Sequence, residues 1–348
     1  MAKKQKAAKP KSKVGKFLER KNIKISARVY FIDALGAMAY GLFASLLIGT
    51  IFGTLGDKFG IGFFNTIAEY AKGACGAALG ISIAYALKAP QLVLFSAAAV
   101  GIAGNTLGGP VGAFLATIVA TELGKIVSKE TKVDIVVTPA VTIVSGVAVA
   151  MAAGPVVSSI MTGFGSLIMT ATEMQPFFMG ILVSVLVGVA LTLPISSAAL
   201  CIMLELGGLA AGAATAGCCT QMVGFAVMSF KENRWGGLFS QGLGTSMLQM
   251  PNIVKNPRVW IPPTLAAAIT GPIATCVFDM QSIPAGAGMG TCGLVGPFGV
   301  FTAMGTGWEV WLAVGLICFL LPGVLTWVIG KVFRKMNWIK DGDLLLPL

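Results

Sequence analysis

Residues 282–299 read SIPAGAGMGTCGLVGPFG, a stretch dominated by glycine and proline that carries no charged side chain. It lies between two apolar runs, 261–278 and 310–332, each near the length of about 20 residues that a helix needs to cross hydrocarbon. Irregular backbone at membrane depth is tolerated only where protein buries it or a watery cavity borders it, so this stretch is expected to be a re-entrant hairpin. Such broken elements line transport sites. A second candidate hairpin is 238–252, LFSQGLGTSMLQMPN, which is moderately apolar yet carries Ser240, Gln241, Thr245, Ser246, Gln249 and Asn252.

Further apolar runs flank these segments. Residues 34–54, 63–87, 135–160 and 177–193 read as spans, and 161–175 reads as an interfacial connector. Residues 92–107 and 111–126 are joined by Gly108-Gly109-Pro110 and read as a hairpin or broken helix. The Gly-, Ala- and Cys-rich run 195–230 suits close helix packing, because small residues let backbones approach. Eight to ten crossings follow, with 195–208 unassigned. The pattern G-P-x-G-x-F occurs at 109–114 and again at 296–301, a weak echo of a duplicated plan. The expected fold is all-α: a polytopic transmembrane helical protein with a basic tail over 1–28, a membrane domain over 29–335 and a short C-terminal tail over 336–348.

Composition agrees. Of 348 residues 56% are hydrophobic and 11% charged, against roughly a quarter charged in soluble domains, and the mean hydropathy is +0.85. No histidine is present, which removes the commonest general base and metal ligand. Catalytic residues, metals and cofactors are therefore not expected, and no Walker or Rossmann glycine pattern points to ATP or a dinucleotide. The seven cysteines sit in apolar surroundings and read as small buried packing residues. The net charge of +11 is concentrated at one end: ten Lys and Arg lie between Lys3 and Lys24. That segment is expected to be disordered or to lie on the membrane surface, anchoring a cytoplasmic N-terminus in the cell membrane and contacting lipid rather than nucleic acid. It is too long in charge for a cleavable signal.

Intramembrane acids are costly and mark function by default. Glu205, between Met203-Leu204 and Gly207-Gly208, is the first candidate for solute or cation contact, whereas Glu122 and Lys125 have the spacing of a local ion pair. Asp279, Glu309 and Glu173 mark span ends. Amide and hydroxyl groups suit an uncharged, hydroxyl-rich solute in a largely apolar pocket; Asn105 and Thr106 at the first break, Gln221, and the polar positions of 238–252 supply them.

The runs GGLAAGAATAGCCTQMVGFAVMSF (207–230), GGLFSQGLGTSMLQMPNIVKNPRVWIPPTLAAAITGPIATCVF (236–278) and PAGAGMGTCGLVGP (284–297) resemble the standalone membrane subunit IIC proteins of the bacterial phosphotransferase system, in the branch with the PfoR-type regulators. The resemblance covers nearly the whole chain after the basic tail. It implies a homodimeric, elevator-type sugar carrier in which a mobile domain holds two re-entrant hairpins. It places Gln241, Thr245, Ser246, Gln249 and Asn252, and the turn around Pro284 to Gly290 with Pro284, Gly286 and Gly288, toward the solute. The chain departs from many sugar-specific IIC proteins in lacking a Glu-bearing signature loop and any histidine, and no phosphorylatable IIB unit is fused to it.

The functional expectation is a permease for a sugar or sugar-like polar solute, working by alternating access. A separate IIB couples transport to phosphorylation, or transport proceeds without it; at most the chain is the membrane subunit of a sugar phosphotransferase. Two alternatives stand beside this: a membrane sensor with a IIC-like fold, and a cation-coupled carrier acting through Glu205. A channel is disfavoured, because no charged ring or carbonyl filter is visible.

Overall fold

The computed structural model describes residues 13–346. They are mostly helical, and the one extended pairing among them is an isolated antiparallel bridge between Gly208 and Ser282. Among the described residues six helices are long and apolar enough to cross a membrane: Val29–Phe59, Gln91–Val127, Asp134–Thr172, Gly208–Met228, Pro257–Cys276 and Trp308–Lys335. Three shorter apolar helices, Cys75–Ala86, Pro176–Thr192 and Cys292–Met304, lie among them.

Several boundaries differ from expectation. Residues 63–87 form two short helices, Gly62–Gly73 and Cys75–Ala86, hinged at Ala74. Together they retrace Val29–Phe59 in the opposite direction: Gly56 faces Asn65, Gly49 faces Lys72, and Gly41 faces Ala78 and Ser82. The first of these long helices ends on Gly60, whose φ of 67° gives a left-handed cap that glycine adopts without a Cβ penalty. No connector exists at 161–175. Asp134–Thr172 is one helix of 39 residues, because nothing between Pro155 and Glu173 breaks its hydrogen-bond ladder.

Gly208–Met228 is the central helix. Apart from Gln221 it is apolar or small on every side, as suits a helix with almost no solvent face, and it packs against Pro176–Thr192, Ile261–Cys276 and Leu321–Lys335. Glycines set the spacing. Gly188 lies against the backbone of Gly217, and Gly180 against Pro272 and Thr275, so any side chain there would force the helices apart. Six of the cysteines pack in the interior as expected, but Cys276 is exposed.

Gln91–Val127, although continuous in its hydrogen bonding, doubles back on itself. Gly108 and Gly109 leave helical geometry, Gly109 at φ 59° and ψ −159°, a conformation open essentially to glycine alone. Pro110 then starts the returning arm, where its missing N–H costs nothing. Gly104 on the outgoing arm abuts Ala113 on the returning one, and Val93 abuts Gly124. Residues 282–304 reverse in the same way. Gly286 lies against Gly299, and the Gly296 N–H donates to the Gly290 carbonyl at 2.8 Å. The second glycine of the G-P-x-G-x-F echo, Gly112 in one copy and Gly299 in the other, is in both cases where the two arms touch.

Of the basic leader, residues 1–12 lie outside the described residues, and Lys13–Arg20 is a helix. Arg20 and Lys21 both pair with Glu130, at 2.7 and 2.5 Å, which ties this helix to the turn before Asp134. At the other end, the chain after Lys335 folds back into the protein. Ile339, Leu344 and Leu346 are buried in the largest apolar cluster, beside Leu35, Leu248 and Ile253.

Candidate solute-binding site

Both reversals point at one cavity of about 370 Å³, within the range of about 300–1,000 Å³ typical of small-molecule sites. The first tip contributes Asn105, Gly109 and Pro110, and the second contributes Met289 and Cys292. Ser196, Ser197 and Thr245 add hydroxyls, Leu42, Leu46 and Leu47 form an aliphatic wall, and Lys72 reaches in from Gly62–Gly73. A mostly apolar lining with a few convergent polar groups is the usual make-up of a recognition site.

The polar groups divide by what they already bond. Ser197 Oγ donates to the Gly288 carbonyl at 2.7 Å, pinning the second hairpin to the short helix Ser197–Met203. Ser196 caps that helix by accepting from the Ala199 N–H, and Thr245 Oγ1 accepts from the Met247 N–H at 3.1 Å. Thr291 donates to the Gly242 carbonyl at 2.5 Å, joining the second tip to the irregular segment 240–249. The Asn105 side chain has no intramolecular hydrogen bond, and the Lys72 ammonium has neither a hydrogen bond nor an ion pair. Those two side chains are free to receive a ligand.

The polar residues singled out from sequence separate accordingly. Asn105 and Thr245 line the cavity, while Thr106 lines a neighbouring one of about 390 Å³ on the far side of the same tip. Ser246 is buried and shares a 2.8 Å hydrogen bond with Thr192. Gln221 is fully buried and already bonded: its carbonyl accepts from Trp260 Nε1 at 3.2 Å and from Thr192 Oγ1 at 3.4 Å, and its amide donates to Thr264 Oγ1 at 3.2 Å. Gln241, Gln249 and Asn252 form a buried ladder, in which Gln249 donates to Gln241 and Asn252 donates to Gln249. The ladder holds the returning C-terminus, through the carbonyls of Leu344 and Leu345. Pro284 and Gly286 lie in the outgoing arm of the second hairpin, behind its tip.

Glu205 stands in an exposed left-handed turn at φ 49°, and the cavity lining does not include it. Glu122 and Lys125 form the expected pair at 3.3 Å. Met289 belongs to the turn around Pro284 to Gly290 that was expected near the solute, whereas Lys72, Ser196, Ser197 and Cys292 were not singled out from sequence. For Lys72 a signal existed, since it is a cation well inside an apolar run.

The family model for the phosphotransferase system EIIC matches residues 32–346. The chain belongs to this family. Membership makes the EIIC chain a multi-pass membrane protein and the membrane permease component of a sugar phosphotransferase system, and it implies a lipid setting and a separate IIB partner. No curated protein and no solved structure gave a match.

Proposed function

We propose that the cavity between the two hairpin tips is the site at which this EIIC protein holds its sugar during transport. The observation that carries the reading is convergence: two helix reversals, far apart in sequence, meet at one cavity into which Asn105 turns an unpartnered amide. An amide both donates and accepts, which suits a hydroxyl-rich ring. Irregular backbone bordering a cavity is the one situation in which broken helices persist at membrane depth, and on this reading both hairpins are re-entrant.

Alternating access follows from an elevator movement, in which the hairpins and the helices packed on them carry the site past the remainder of the chain. The protein acts as a homodimer in the cell membrane, with its basic leader and Glu130 on the cytoplasmic side, where a separate IIB protein phosphorylates the sugar. The excess of Lys and Arg before the first span supports that orientation.

Thermal stabilisation of the detergent-purified protein by a panel of sugars, polyols and sugar acids tests the site, since a ligand that binds only the folded state raises Tm. Asn105→Ala is expected to weaken a stabilising sugar at least tenfold while leaving the unliganded Tm close to wild type. An Asn105→Ala protein that binds as wild type does, beside an Asn252→Ala protein that does not, would place the solute in 238–252 and overturn the reading.

A further inference from the structure

The cavity carries one formal charge. Among its described lining residues Lys72 is the single Lys, Arg, Asp or Glu. Lys72 is accommodated deliberately: Gly49 and Gly53, one turn apart on Val29–Phe59, leave the space its stem occupies. A Cβ on Gly49 would come within 2.9 Å of Lys72 Cγ, and one on Gly53 within 3.1 Å of its Nζ. Glu69 lies three residues earlier on the same helix, a spacing that allows an ion pair, yet it forms none with Lys72.

Lys72 is exposed at the border of this largely apolar cavity and has no counter-ion, so its ammonium is available to an anion that enters, and the apolar walls strengthen that attraction. An intramembrane cation is expensive unless it has a partner or a task. A neutral sugar would leave that charge unmatched.

We propose that Lys72 receives an anionic group on the transported sugar, so that the solute is an acidic sugar derivative, bearing a carboxylate or a phosphate, whose hydroxyls meet Asn105. The inference rests on the cavity being the sugar site. It adds a charge requirement to that reading. Lys72 makes the point contact, three donors on a flexible stem, and the amide of Asn105 orients the remainder of the ring.

The test uses the purified full chain and matched sets: hexoses and pentoses, each beside its aldonate, its uronate and its terminal phosphate, with Tm read at several concentrations. The strongest stabiliser is expected to be an anionic member that binds at least tenfold more tightly than its neutral parent. Carboxylate and phosphate members in the same set tell the two sources of charge apart. Lys72→Gln should abolish that tenfold preference, Lys72→Arg should retain most of it, and added NaCl should reduce it by screening. The unliganded Tm of each variant separates loss of binding from loss of folding, and Lys72→Arg keeps the charge if Lys72→Gln fails to fold.

A neutral parent that binds as tightly as its acid, or a preference unchanged in Lys72→Gln, overturns the charge assignment. If that neutral binding still depends on Asn105, the sugar site survives. Absence of binding by every member overturns both.

Discussion

Gln249 Nε2 donates to the Leu344 carbonyl at 3.1 Å, across ninety-five residues of chain. The bond belongs to the ladder Gln241–Gln249–Asn252, every member of which is buried. Gln249→Ala orphans the buried Gln241 carbonyl and takes one bond each from the Asn252 amide, which keeps Leu345, and from the Leu344 carbonyl, which keeps Asn233. Leaving buried polar groups unpaired costs about 1–3 kcal/mol each. A clearly lower Tm is expected, with sugar binding by the folded fraction intact. Normal stability with lost binding would return this residue to the solute site.

The two arm contacts are expected to be intolerant of bulk. A Cβ on Gly299 would stand 2.9 Å from Gly286 Cα, and one on Gly112 would meet the Gly104 carbonyl. Gly112→Val and Gly299→Val should each destabilise by about 1–3 kcal/mol or more through overpacking. The check is Tm beside sugar binding, and both should fall, because displaced arms move the tips that form the cavity. Gly163→Val is the control, since nothing lies within 4 Å of a Cβ there.

Gln221 acts as a structural hub. Gln221→Ala removes the acceptor of Trp260 Nε1 and the donor to Thr264, for a loss of about 1–3 kcal/mol. Indole fluorescence reports the change at Trp260. A variant of unchanged stability but abolished uptake would contradict this role.

The N-terminal helix is pinned in a pH-dependent way. The hydrogen bond from Lys21, and behind it the charges of Arg20 and Lys21, hold the Glu130 carboxyl below its ordinary range. A depressed carboxyl contributes its stability in full above the unfolded value of about 4.3 and loses it as pH falls through the lower folded value. Wild type should therefore exceed Glu130→Gln in Tm at pH 7, and the difference should shrink as pH falls below the unfolded value of about 4.3. A constant difference across that fall in pH would show that the pair is not the cause.

What could be read from sequence was what the solvent dictates. Runs of apolar residues at spanning length, and glycine and proline where a helix cannot continue, follow from local chemistry and the cost of bare backbone in lipid. The break at Gly108-Gly109-Pro110 and the pair Glu122–Lys125 were legible for that reason. The hinge at Ala74 and the length of Asp134–Thr172 were not, because no residue at either place announces a stop or a continuation.

Which polar side chains line the cavity was decided by tertiary structure alone. Gln241, Gln249 and Asn252 have the chemistry of a sugar site, but the returning C-terminus occupies them, and a hydrogen bond between residues so distant has no local signature. Asn105 and Lys72 differ from them in chemistry less than in circumstance: the packing of other helices left those two without a partner, at a cavity that exists only because two reversals, one at Gly109 and one near Gly290, fold toward the same place.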